Sequence, residues 1–192
     1  LKLLLMAYYK TFKPYGMLSQ FVYNQKRRKN KRLLGELSNF PQGIMSVGRL
    51  DQDSEGLLFL TTDGKFSHHI TSSGMEKEYW VQVDGIAKKE HVEKLSKGLE
   101  ISIYGKPYQT LACHVKLMEP PQDLPKRAKD IRNENDHGVT SWLSITLTEG
   151  KFRQVRKMTA KIGLPTLRLV RYRIGEQTIE QMQVEEVIEM QP

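Results

Sequence analysis

Gly48-Arg49-Leu50-Asp51-Gln52-Asp53-Ser54-Glu55-Gly56-Leu57-Leu58-Phe59-Leu60 is the stretch on which the reading of this chain turns. Three acids and one arginine sit between two apolar segments, Met45 to Leu50 and Leu57 to Thr61, each short enough for a buried strand. Side chains bracketed this way are held in place by rigid elements, which is where chemistry tends to be sited. Four readings compete. A calcium loop would use Asp51, Asp53, Glu55 and Gly56, but its twelfth position is Thr62 where a bidentate Glu is needed, and strands flank it where helices should. A carboxylate pair for glycoside hydrolysis fits poorly with the basic charge of the chain. A structural turn, with Asp51 and Asp53 capping backbone donors, stays open. So does an aspartate nucleophile acting on a nucleic acid.

Charge favours a polyanion. The chain has 192 residues and a formal net charge of +8, from 30 Lys+Arg against 22 Asp+Glu. Residues 1–50 hold ten basic residues and one acidic, residues 51–100 six and ten, residues 101–150 six of each, and residues 151–192 eight and five. Basic ends around an acidic middle suggest a nucleic-acid-binding face. The length suits one domain, or one domain with two lobes. A single cysteine, Cys113, excludes an internal disulfide and a cysteine zinc site, and makes the cytoplasm the expected compartment. No run approaches the ~20 apolar residues of a membrane span.

Outward from the central stretch, Ala7 to Phe12 reads as a strand ended by Lys13-Pro14-Tyr15-Gly16, and Lys26 to Arg32 as a basic run. Leu33, Leu34 and Leu37 predict a short helix over 32–40, and a helix should follow Thr62-Asp63-Gly64. Glu78 to Asp84 alternates as a strand with Tyr79, Val81 and Val83 on one side. Lys88 to Lys97 has helical spacing, and 99–104 and 110–117 read as paired strands. A polar stretch from Glu119 to Gly138 lacks apolar rhythm and is long enough to be functional. Ser141 to Thr148 is an alternating strand, Phe152 to Ile162 a helix, and Thr166 to Ile174 a strand. Strands outnumber helices and several are joined by short turns, so the expected class is α+β with a mixed, largely antiparallel sheet.

A second polar cluster, Glu149-Gly150-Lys151-Phe152-Arg153-Gln154-Val155-Arg156-Lys157-Met158, follows a strand and opens a helix. Arg153, Arg156 and Lys157 are spaced to share one helix face, where like charges repel unless an anion offsets them. A helix N-terminus also favours anions, so Arg156 suits a phosphate or a buried aspartate; a solvated face is the plain alternative. The five histidines have no metal-ligand spacing, and neither a nucleophile elbow nor a dinucleotide fingerprint is present. Tyr79, alternating with valines, reads first as a core residue.

Taken in order, Lys13-Pro14-Tyr15-Gly16, the Gly48 to Leu58 string, Lys77-Glu78-Tyr79-Trp80-Val81 and the Glu149 to Met158 string resemble the signatures of the RsuA-type pseudouridine synthases. The resemblance spans about residues 7–180. It implies the pseudouridine synthase fold: a mixed, mainly antiparallel bent sheet with flanking helices in two lobes and an active-site cleft between them. One catalytic domain over 7–180 is expected, with a polar insert at about 119–138 and an acidic C-terminal tail over 181–192. Because the K-P-x-G motif begins at Lys13, no S4 RNA-binding domain is expected. Thr140-Ser141-Trp142-Leu143 and Gly163 to Tyr172 resemble the branch that lacks that domain and acts on large-subunit (23S) rRNA.

The implied reaction isomerises a flipped-out uridine with no cofactor and no metal. Asp51 matches the family's nucleophile. Tyr79 matches the tyrosine that packs on the uracil, and Arg156 the basic partner of the aspartate. Arg49, Arg153, Lys157, Leu169, Arg168, Arg171 and Lys13 are the expected substrate contacts. A water-poor pocket with a paired arginine would keep a nucleophilic aspartate ionised, and phosphate contacts would offset the cost of flipping. Large-subunit rRNA is the expected partner of a cytoplasmic monomer with no membrane association. The same chemistry on tRNA, or a silent RNA-binding or ribosome-assembly protein, is the alternative.

Overall fold

The computed structural model describes residues 6–23, 30–127, 129–131 and 137–191. The strands are β1 (Tyr8–Lys13), β2 (Met45–Ser46), β3 (Glu55–Thr61), β4 (Lys77–Asp84), β5 (Glu100–Ile103), β6 (Lys106–Gln109), β7 (His114–Met118), β8 (Thr140–Leu147), β9 (Thr166–Ile174), β10 (Gln177–Thr178) and β11 (Val187–Glu189). The helices are α1 (Gly64–Ser72), α2 (Lys89–Ser96) and α3 (Gln154–Lys161). They fall into two compact units, Leu1–Met75 with Thr178–Pro192, and Glu76–Gln177.

In the first unit β1 runs antiparallel to both β3 and β11. All seven residues of β3 are buried, as the unbroken run Leu57-Leu58-Phe59-Leu60 requires of a strand covered on both faces. Leu58 and Leu60 pack with Met17 and Leu34, against Tyr9, Phe21 and Phe40. Burying each such side chain contributes about 1.5–3 kcal/mol. Tyr8 and Phe59 instead meet Phe66 of α1, at ring-centroid distances of 5.1 and 6.2 Å. The helix expected after Asp63 starts there because the Asp63 carboxylate accepts from Lys65 N (2.8 Å) and Phe66 N (3.2 Å). It also accepts from the Tyr8 hydroxyl at 2.9 Å.

Two expectations for this unit change. The helix over 32–40 shrinks to one 3-10 turn at Leu34–Glu36. Leu34 N donates to Gln20 O (3.0 Å) and Leu18 N to Arg32 O (2.9 Å), so pairing with residues 18–20 takes backbone groups a helix would need. Val187–Glu189 of the acidic tail form β11, with Val187 opposite Thr11 and Glu189 opposite Tyr9. Lys26 to Lys29 of the basic run lie outside the described residues.

The second unit orders its main strands β9-β4-β8-β7, each pairing antiparallel. Tyr79, Val81 and Val83 are buried on β4, as the alternation predicts. The pairing of 99–104 with 110–117 is corrected: β5 pairs with β6, and β7 pairs with β8. A two-residue turn at Tyr104-Gly105 makes the tight hairpin, with φ of +50° and +80°. Positive φ at both positions matches the twist of the flanking strands, but tyrosine is not a residue that signals it. At the hairpin's base a Cβ on Gly98 would lie 2.3 Å from Thr110 O, so only glycine fits. Of the polar insert, residues 128 and 132–136 lie outside the described residues.

Candidate active site

Asp51 stands in a turn closed by Ser54 N donating to Asp51 O at 3.0 Å. The turn is braced from both sides by the segment that follows β1. Before Asp51, Leu50 N donates to Ser19 Oγ (3.0 Å) and Ser19 Oγ donates back to Leu50 O (2.7 Å). After it, Gly16 N donates to Gln52 O (2.8 Å) and Gln52 Nε2 to Gly16 O (3.0 Å). Lys13, expected among the substrate contacts, is instead wholly buried. Its ammonium donates to Pro14 O (2.9 Å) and Ser54 O (2.7 Å), so it ties the end of β1 to the start of β3. The half-buried Asp51 is thus held by its neighbours' main chain, while Arg49 is exposed at the turn's edge. Nothing in the sequence marks Ser19, which lies 31 positions from Leu50.

In the second unit the β4–β9 register sets Tyr79 opposite Arg171 and Val81 opposite Leu169. Tyr79, Leu169 and Arg171 therefore share one face, each less than a tenth exposed. A register shift between Glu78 and Tyr79 interrupts the ladder beside the tyrosine, a device that re-aims a side chain. Arg168, opposite Gln82, belongs to the other face and does not join them. Its Nη2 donates to Pro125 O at 2.7 Å, tying β9 to the polar insert.

That other face carries Trp80, stacked on Tyr172 at 3.8 Å, and a cavity of about 500 Å³ lined in part by Glu76, Glu78, His114, Lys116 and Arg173. Burial works to raise the Glu78 pKa, but bonds from Ser144 Oγ, Trp80 Nε1 and Arg173 outweigh it and hold the carboxyl below its usual range.

α3 opens at Gln154 rather than Phe152, because Arg153 is its N-cap with φ of +52°. Arg153 thus lies outside the helical face predicted for it, Arg156 is half-buried in the first turn, and α3 packs against β5 and β9. Lys157 Nζ donates to Ser102 O at 2.8 Å and stands 4.9 Å over the Phe152 ring, so a carbonyl and a π-face fix its position. Glu149 organises the approach to α3. Its carboxylate accepts from Leu111 N (2.9 Å), Gln154 Nε2 (2.6 Å) and the Tyr108 hydroxyl. Gln154 Oε1 in turn accepts from Lys151 N at 3.0 Å. Glu149 and Gln154 are functional-site neighbours that the sequence signals only by their spacing across the strand end. Nearby, burial and Glu149 push the Cys113 thiol up to about 11, so it stays protonated at neutral pH.

Among the described residues no three His, Cys, Asp or Glu side chains gather to hold a metal ion, and no helix is long and apolar enough to cross a membrane.

The fold is that of the pseudouridylate synthases. A crystal structure of a pseudouridylate synthase matches 97% of this chain and 70% of its own length with a TM-score of 0.75 at 23% identity. Human RNA pseudouridylate synthase domain containing 1 matches 96% of this chain and 78% of its own with a TM-score of 0.60 at 12% identity. Residues 8–161 match the RNA pseudouridylate synthase family, to which the chain belongs; it is an isomerase. Among curated relatives, the ribosomal large subunit pseudouridine synthase E of Xanthomonas axonopodis pv. citri is 41% identical over 171 residues, 85% of this chain and 83% of the relative. The enzyme of the same name from Vibrio parahaemolyticus is 41% identical over 175 residues, 89% of this chain and 68% of the relative. Ribosomal large subunit pseudouridine synthase B of Bacillus subtilis is 32% identical over 167 residues, 86% of this chain and 60% of the relative.

Proposed function

We propose that this chain converts a specific uridine of large-subunit rRNA to pseudouridine, with Asp51 as nucleophile. The Asp51 carboxylate attacks the nucleotide, the C1′–N1 bond breaks, and the freed uracil turns so that C5 rejoins C1′. The proton lost from C5 is balanced by one gained at N1. Tyr79, matching the family's tyrosine, packs on the uracil and takes the C5 proton; Leu169 supplies apolar wall. Arg156 matches the family's basic partner of the nucleophile, and a paired guanidinium favours the ionised carboxylate. Arg49 holds the flipped-out position, and Arg171 and Arg153 meet phosphate. Lys157 acts beside Phe152, and Arg168 acts through the insert it anchors. Lys13 acts through the turn it braces.

The observation that carries this reading is the fixed turn that presents Asp51, braced on both sides through Ser19, Gly16 and Lys13. Relatives of the E type, named for the large ribosomal subunit, support the substrate. A monomer working in the cytoplasm, without metal or cofactor, completes the proposal.

Carbodiimide-stop primer extension on protein-free 23S rRNA and on a tRNA mixture tests it, with Asp51→Asn alongside. One new stop in 23S rRNA, absent with Asp51→Asn, is expected. A stop confined to tRNA overturns the substrate and keeps the chemistry. A stop that persists with Asp51→Asn overturns the nucleophile. RNA binding with no stop in free or ribosomal RNA points to a silent binder.

A further inference from the structure

The tip of the β5–β6 hairpin carries a residue that turn geometry does not explain. Tyr104 is 79% exposed, the most exposed of the large apolar side chains among the described residues. Its φ of +50° places it in the left-handed region, which favours Gly, Asn or Asp at the first position of such a turn. A bulky aromatic there is strained, and strain retained at a surface points to use.

The ring does not stand alone. Tyr104 stacks on Phe152, itself 47% exposed, with centroids 5.2 Å apart and planes 15° from parallel. Lys157 stands 4.9 Å over the Phe152 ring and is pinned by Ser102 O at 2.8 Å. Lys151 stands 4.9 Å over the Tyr108 ring, and exposed Lys106 follows the turn on β6. The Glu149 carboxylate fastens the hairpin's β6 end, through Tyr108 and Leu111, to the start of α3 through Gln154. Two parallel rings, open to solvent, are thus mounted on a rigid corner among three lysines.

We propose that Tyr104 and Phe152 form a platform on which an unpaired base of the RNA substrate stacks, with Lys106, Lys151 and Lys157 facing its phosphates. Every base has a π-face, so such a platform is tolerant of sequence and adds affinity rather than choosing the nucleotide to be modified. The proposal rests on the rRNA reading above. Charge favours RNA over a protein partner: Lys151 and Lys157 stand over the rings of this corner, exposed Lys106 follows the turn, and the Glu149 carboxylate is consumed within it, while the hairpin's exposed Glu100 lies at the far end of β5 from the tip.

Tyr104→Asn is the informative variant, because Asn suits the left-handed turn position better than Tyr. The full chain and this variant are compared for thermal midpoint and for affinity to protein-free 23S rRNA over a salt series. Ile86→Asn, which removes a side chain 60% exposed elsewhere, serves as control. Expected for Tyr104→Asn are an unchanged or raised midpoint, affinity lower by about tenfold, and an unchanged salt slope, since stacking releases no counterions. Lys106→Gln should flatten that slope by about one. Ultraviolet cross-linking of the wild-type complex should join RNA to a peptide containing Tyr104 or Phe152. Wild-type conversion of uridine with undiminished RNA affinity in Tyr104→Asn, or with cross-links only elsewhere, overturns the platform and leaves the enzyme intact. Failure of the wild-type chain to bind RNA at all overturns both.

Discussion

Two carboxylates, Asp51 in the first unit and Glu149 in the second, each sit where a loop meets a regular element, and they are held in opposite ways. Around Asp51 the described bonds belong to its neighbours: Ser19 with Leu50, Gly16 with Gln52, and Lys13 with Ser54 O. At the other corner Glu149 is itself the tie, accepting from Leu111 N, Gln154 Nε2 and the Tyr108 hydroxyl. A scaffold that fixes a turn through the residues on either side sets the place of the side chain between them. A scaffold that fixes a corner through a carboxylate spends that carboxylate on structure.

Breaking the contrast at its strongest point, Asp51→Asn should abolish pseudouridine formation in the primer-extension assay. RNA affinity should stay within a few-fold, because the carboxylate acts chemically and contacts little RNA. Lys13→Met should do the reverse. It leaves the Pro14 and Ser54 carbonyls without their buried donor, so urea unfolding should show a loss of about 2–4 kcal/mol, with turnover falling in step as the turn loosens. Glu149→Gln turns an acceptor of three donors into a group with one acceptor oxygen. A loss of about 1–2 kcal/mol is expected, and hydrogen exchange should report earlier opening of residues 100–111. Equal exchange in the two proteins would remove Glu149 from the role given to it.

The smallest effect at neutral pH, and the one that sharpens with acid, concerns Glu78. Its pKa is held below the 4.5 of a free glutamate, despite burial, by Ser144, Trp80 and Arg173. A depressed carboxyl contributes stability that is fully present above the unfolded value and is lost as pH falls through the folded one. The wild-type thermal midpoint should therefore drop below about pH 4.5, and Glu78→Gln should make that drop shallower. Parallel curves for the two proteins would assign the acid sensitivity to other groups.

Periodicity was a good guide where burial imposed it. β3 reads as a continuous apolar run because both its faces are covered, and β4 alternates with Tyr79, Val81 and Val83 inward. It misled where backbone partners came from far along the chain. Leu33, Leu34 and Leu37 have helical spacing, but bonds to Leu18 and Gln20 leave only one turn. The hairpin at Tyr104-Gly105 was hidden because its turn opens with tyrosine.

The sequence by itself determined the family, the order of the main strands and the candidates Asp51, Tyr79 and Arg156, since those rest on local strings and strand period. Only the tertiary structure decided what Lys13 and Glu149 do, that Arg168 parts from Tyr79, Leu169 and Arg171, and that Val187–Glu189 form β11. The reason is range. A strand's period is written in neighbours two residues apart, whereas the Ser19–Leu50 and Thr11–Val187 contacts join positions that meet only after the chain has folded.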